Sequence, residues 1–152
     1  MRVRLANKCA GATIFPMTSS RLLGIDYGTK RIGIAMSDEN NTLAFPKNII
    51  NNDAHALEKL VEIIETENIQ EIVVGESLDF SNNRNALEDD IDVFVLKLEE
   101  RLNVIIHREK EFWTSVEARR FQGSSKRVDA SAAALILQRY LDKINNKLKP
   151  SA

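Results

Sequence analysis

Residues 21–36 read RLLGIDYGTKRIGIAM. The segment 21–26 is an apolar run that ends on an acid, Asp26, and reads as a buried strand. Residues 31–36 form a second strand. Between them, Tyr27-Gly28-Thr29-Lys30 suits a hairpin turn, with Gly28 able to take positive φ. A third short strand is expected at 43–45, stopped by Pro46. Three successive strands imply an antiparallel meander.

The period then changes. Leu57, Leu60, Val61 and Ile64 recur at helical spacing, which predicts a helix over 53–67 with Asn52 or Asp53 at its cap. A strand follows over 69–75, closed by Gly75. Leu87, Ile91, Phe94, Leu98 and Leu102 mark a helix over 84–102, whose Asp89, Asp90 and Asp92 read as its wet face. A strand is expected over 103–107. Thr114-Ser115-Val116-Glu117 has the form of a capping box and starts a helix to about 121, with Trp113 stapling its start. A polar loop separates it from a last helix over 129–142. The order β-β-β-α-β-α-β-α predicts an α/β fold, a mixed five-stranded sheet with helices on both faces.

Composition bounds the rest. The chain has 152 residues, a length suited to one domain. No run of about 18 apolar residues is present, so a membrane-spanning helix is not expected. Cys9 is the sole cysteine, which excludes an internal disulfide and cysteine-based zinc sites. That usage is consistent with a reducing, cytoplasmic setting. Basic and acidic residues nearly balance, 21 against 22. Residues 1–20 hold Arg2, Arg4 and Lys8 without an acid; they show no clear period and read as a disordered leader, with Met17 a candidate start. The domain is expected over 21–145 and a frayed tail over 146–152.

Three acids stand at the ends of separate elements. Asp26 closes the first strand, where it is either a turn-capping Asp or an acid at the carboxyl end of the sheet. Glu111 lies in the loop after the fifth strand. Asp129 opens the last helix, a favoured N-cap position. Were the fold to gather them, their repulsion would call for a cation, and oxygen ligands suit Mg²⁺ or Mn²⁺. Spacing alone does not bring them together. Arg119, Arg120, Lys126 and Arg127 form a basic cluster that reads either as a phosphate site or as a solvated helix end and loop. His55 and His107 are isolated.

Four segments carry a resemblance. Gly24-Ile25-Asp26-Tyr27-Gly28-Thr29-Lys30-Arg31-Ile32-Gly33-Ile34-Ala35 resembles the first motif of the YqgF (RuvX-type) family, Holliday-junction resolvase-like proteins of the RNase H-like fold. Ile72-Val73-Val74-Gly75 resembles the strand before its Gly-Leu-Pro-Leu turn. Glu111-Phe112-Trp113-Thr114-Ser115-Val116-Glu117-Ala118 resembles its Asp-Glu-Arg motif and the helix start after it. Residues 128–141 resemble its final acidic helix. The resemblance implies an RNase H-like metal-dependent nuclease, acting in maturation of the 16S rRNA precursor or on branched DNA, as a monomer or homodimer. It implies Asp26, Glu111 and Asp129 as catalytic, metal-binding acids. Lys30 and Arg31 then join Arg119, Arg120, Lys126 and Arg127 as candidates for phosphate contact.

The match departs at Lys110 and Phe112, where the family has Asp and Arg. Lys110 sets a cation beside the expected metal site, and Phe112 lacks the bidentate phosphate contact of Arg. Gly75-Glu76-Ser77-Leu78 replaces the Gly-Leu-Pro-Leu turn. A shifted register would use Glu109. Two further readings remain open: a nucleic-acid-binding member that does not cut, and a nucleotide-binding fragment like one lobe of an actin-like ATPase.

Overall fold

The computed structural model describes residues 20–76, 86–110 and 128–149, except the side chains of Val128 and Asp129. The described elements are β1 (Leu22–Tyr27), β2 (Arg31–Ser37), β3 (Ala44–Asn51), α1 (Ala56–Thr66), β4 (Glu71–Glu76), α2 (Ala86–Arg101), β5 (Ile105–Lys110) and α3 (Val128–Leu148). The expected helix over 114–121 lies outside the described residues.

The five strands form one mixed sheet in the order β3-β2-β1-β4-β5. β1, β2 and β3 make the antiparallel meander. β4 and β5 run parallel to β1. In β4, Ile72, Val73 and Val74 are all buried, because this strand is covered on both faces and has no wet side. One face holds Leu23, Ile25, Ile72 and Val74 against Leu60 and Ile64 of α1 and Ile91 and Leu98 of α2. The other holds Leu22, Ala35 and Val73 against Ala133, Ile136, Leu137 and Leu141 of α3.

Several boundaries differ from the sequence reading. β3 does not stop at Pro46 but continues to Asn51. β3 is a sheet edge, where a residue without an N–H is tolerated. The register also shifts there: Ala35 faces Pro46 while Ile34 faces Asn48, so Lys47 is the extra residue of a bulge. Neither Asn52 nor Asp53 caps α1. Asp53 turns the chain before the helix, its Oδ1 accepting the His55 N–H at 2.8 Å, while His55 holds the cap position without a side-chain bond. At Gly28 no positive φ is needed. A Cβ there would lie 2.7 Å from the Arg31 carbonyl oxygen, which accepts the Gly28 N–H at 2.9 Å. β5 runs on to Lys110, and α3 runs on to Leu148.

Ion pairs fasten α2 and α3 to β5. Arg108 donates to the buried Glu88 of α2 and, at 3.1 Å, to Asp92, so Asp92 is not simply a wet-face residue. On the opposite face, Lys143 of α3 donates to the buried carboxylate of Glu109. Beside it, His107 Nε2 lies 2.8 Å from Glu71 Oε2, and the His107 ring stacks on Tyr140 of α3 at 4.8 Å.

α3 and β1 approach closely at Gly24. A Cβ at Gly24 would sit 2.7 Å from Leu137 Cβ and 2.8 Å from the Ala133 carbonyl oxygen. Gly24→Ala is therefore expected to destabilise the protein by about 1–3 kcal/mol, the usual cost of overpacking. Urea unfolding measures it; an unchanged midpoint would contradict the contact.

Burial, and then the charges of Glu71 and Glu109, hold the Tyr140 phenol above its ordinary value of 10.0. The unfolded chain thus gives up this proton first as the pH rises. The contribution is complete below about pH 10 and declines as the pH passes upward through the native value. Stability of the wild type is expected to fall more steeply above pH 10 than that of Tyr140→Phe. Equal slopes in denaturant titrations at pH 9–11 would contradict this.

Candidate active site

Side chains alternate along β1. Leu23 and Ile25 belong to the core under α1 and α2, while Leu22 and Gly24 face α3. By that alternation Asp26 lies on the α3 side. It is half-buried, near the end of β1 and opposite Gly33 of β2.

The course of α3 decides what joins it there. Ala133 and Leu137 sit on Gly24. Further along the helix, Gln138 accepts from the Ala44 N–H at 2.8 Å and donates to the Thr42 carbonyl at 2.9 Å. Ala44 pairs with Ser37, beside the start of β1. Asn145 then donates to the Asn41 carbonyl in the loop beyond. The helix therefore runs antiparallel to β1, with its start over the carboxyl end of that strand. Asp129 is one turn before Ala133, about 6 Å along the helix. Asp26 is two residues beyond Gly24, about 6.6 Å along the strand. The backbone thus carries positions 26 and 129 to the same corner of the sheet.

β4 and β5 end at the same edge, because both run parallel to β1. Gly75 pairs with Glu109 and Glu76 with Lys110. Lys110 is exposed and is the last residue of β5. Glu111 follows it in the chain and lies outside the described residues, as do Phe112 and the cluster Arg119, Arg120, Lys126 and Arg127. Lys30 is exposed in the turn between β1 and β2, and Arg31, partly buried, opens β2. Both belong to the hairpin that Asp26 enters. Asn52 braces that hairpin from the β3 side: its N–H donates to the Lys30 carbonyl and its Nδ2 to the Gly28 carbonyl at 2.8 Å.

Among the described residues no three His, Cys, Asp or Glu side chains group to hold a metal. The three sequence candidates comprise one described side chain, Asp26, and two that lie outside. Glu109, the alternative from a shifted register, faces α3 with its carboxylate taken by Lys143. The sequence reading missed this pair, and it missed Glu88–Arg108. A fifth strand ending at His107 hides the alternation that sends 107 and 109 toward α3 and 108 toward α2. Extending the apolar run Val104-Ile105-Ile106 by three residues would have exposed it.

Among the described residues, no helix is long and apolar enough to cross a membrane. The sequence matches the family model described as "RuvX: Holliday junction resolvase" over residues 20–143. A Protochlamydia amoebophila protein, named "Putative pre-16S rRNA nuclease", is 33% identical over 140 residues, covering 81% of this chain and 93% of its own. A Chlorobaculum tepidum protein of the same name is 35% identical over 133 residues, covering 80% and 93%. Among solved structures, Thermus thermophilus RuvC in complex with a Holliday junction substrate superposes with a TM-score of 0.55 at 14% identity, covering 86% of this chain and 99% of its own. That likeness shows the shared RNase H-like fold. With its sequence matched over residues 20–143, the chain belongs to the RuvX Holliday junction resolvase family.

Proposed function

We propose that the protein is a metal-dependent nuclease that hydrolyses phosphodiester bonds in the 16S rRNA precursor, in the cytoplasm. The observation that supports this most is the antiparallel packing of α3 on β1, which brings positions 26 and 129 to one corner beside the end of β5. The names of its relatives agree with the reaction class.

In this reading Asp26, Glu111 and Asp129 hold Mg²⁺ or Mn²⁺ through oxygen atoms, a donor set suited to hard cations. Held there, the metal would supply activation of a water and charge stabilisation of the leaving oxygen. Asp26, on the strand that anchors both cores, is the fixed member of the set. Lys30 and Arg31 on the adjoining hairpin, with Arg119, Arg120, Lys126 and Arg127, bind the phosphate backbone. Their share of the affinity weakens as salt rises.

Lys110 and Phe112 favour a second reading. A cation beside the acids lowers their need for metal, and Phe cannot grip a phosphate as Arg does. The protein would then bind structured nucleic acid and cut it weakly or not at all.

A cleavage assay separates the two. An rRNA precursor fragment and a four-way DNA junction are incubated with wild type and Asp26→Asn in Mg²⁺ and in Mn²⁺. Metal-dependent cutting of the precursor that falls more than about 100-fold in Asp26→Asn is expected, since even outer-shell substitutions cost 10–100-fold. No cutting by folded wild type, with salt-sensitive binding retained, would favour the binding-only reading. Preference for the junction would move the substrate to DNA.

A further inference from the structure

On the other side of the β1 terminus from Asp26 lies a cavity of about 340 Å³, at the small end of the range for ligand sites. It opens at the same end of the sheet as the acids, between the end of β1, the β3–α1 connection and α2. Tyr27, Phe94 and Val93 supply its apolar wall, and Asn52, Asp90 and Lys97 its polar rim. The Tyr27 and Phe94 rings meet at 5.0 Å and 48°. Val93 is half-exposed, so this wall presents apolar surface to solvent.

The polar groups have a definite order. Asp90, Phe94 and Lys97 follow one another at i, i+4 and i+7 along α2, so a carboxylate and an ammonium stand on either side of an aromatic ring. Their positions are about 10.5 Å apart along the helix axis, a span comparable to a purine with a hydrogen bond at each edge. Asp53, also on the rim, already has its Oδ1 engaged by the His55 N–H, which leaves Asp90 as the carboxylate to meet a ligand with both oxygens. The pairing of acid with apolar wall disfavours a phosphate here.

We propose that this cavity takes an unpaired guanine base of the nucleic acid substrate, resting on the nuclease or binding reading above. Guanine is the base whose Watson–Crick edge offers adjacent N1–H and N2–H donors, which match the two oxygens of Asp90. Its O6 and N7 are acceptors, which match the Lys97 ammonium. Its ring lies on the Tyr27 and Val93 side of the wall, the stacking by which single-stranded bases are held. The hairpin carrying Lys30 and Arg31 continues from the end of β1 that bears Asp26 on one face and Tyr27 on the other, so a strand that follows those cations passes close to the cavity.

The test uses the full chain and free nucleosides, which carry no phosphate for the basic residues to bind. Guanosine, adenosine, cytidine and uridine are titrated separately while backbone amide NMR shifts are followed. Guanosine is expected to shift Tyr27, Asn52, Asp53, Val93 and Phe94 selectively, and Asp90→Asn, an exposed helix position, to weaken that binding at least tenfold. Asp26→Asn, on the other side of the strand, is expected to bind guanosine as wild type does. No shift at these residues, or equal shifts with all four nucleosides, would overturn the proposal. So would guanosine binding unchanged in Asp90→Asn. Loss of cleavage plays no part in this readout, so the metal site can fail while the base pocket stands, and the reverse.

Discussion

The close seating of α3 on Gly24 is the constraint from which the rest follows. A helix backbone oxygen and the first carbon of Leu137 occupy the space a side chain would take on β1. Such an approach fixes the helix both in height above the sheet and in position along the strand. Gln138 and Asn145 then fix its direction, each bonding backbone near the β2–β3 loop. With direction and contact point set, the start of α3 has only one place to be, above the carboxyl end of β1. Lys143 and Tyr140 tie the far side of the same helix to Glu109 and His107 of β5. The helix therefore spans from the antiparallel half of the sheet to the parallel half.

β1 is the strand on which both proposed sites converge. It is central in the sheet, antiparallel to β2 on one side and parallel to β4 on the other. Its two-residue alternation separates neighbouring side chains to opposite faces. Asp26 goes to the α3 face and Tyr27 to the α1 and α2 face, where it meets Phe94. One strand end thus carries Asp26 on one face and borders an apolar-walled cavity on the other. The Gly28 turn and the Asn52 brace hold that end in place.

Much of this was legible in the sequence. The apolar run ending at Asp26, the hairpin after it and the helical spacing of Leu57, Leu60 and Ile64 gave the element order. Other features were hidden for physical reasons. Pro46 reads as a strand breaker, yet on an edge strand its missing N–H costs no ladder bond. Asp53 has the chemistry of a cap, yet bonding the His55 N–H places it one turn feature earlier. Glu88 and Glu109 look like surface acids, because their partners Arg108 and Lys143 are 20 and 34 residues away. Whether the acids gather was likewise invisible to spacing, since it depends on the course of α3. The family resemblance implies it, and the packing on Gly24 brings the backbone of positions 26 and 129 to one corner.

The most direct test asks whether one cation is shared by positions 26, 111 and 129. Iron(II) is bound in place of the native ion, and hydroxyl radicals are generated with ascorbate and peroxide, so that the backbone is cut next to the metal. Cuts are expected near all three positions, competed away by Mg²⁺ or Mn²⁺ and lost in Asp26→Asn. Cuts confined to other segments, or the same cuts in Asp26→Asn, would contradict it.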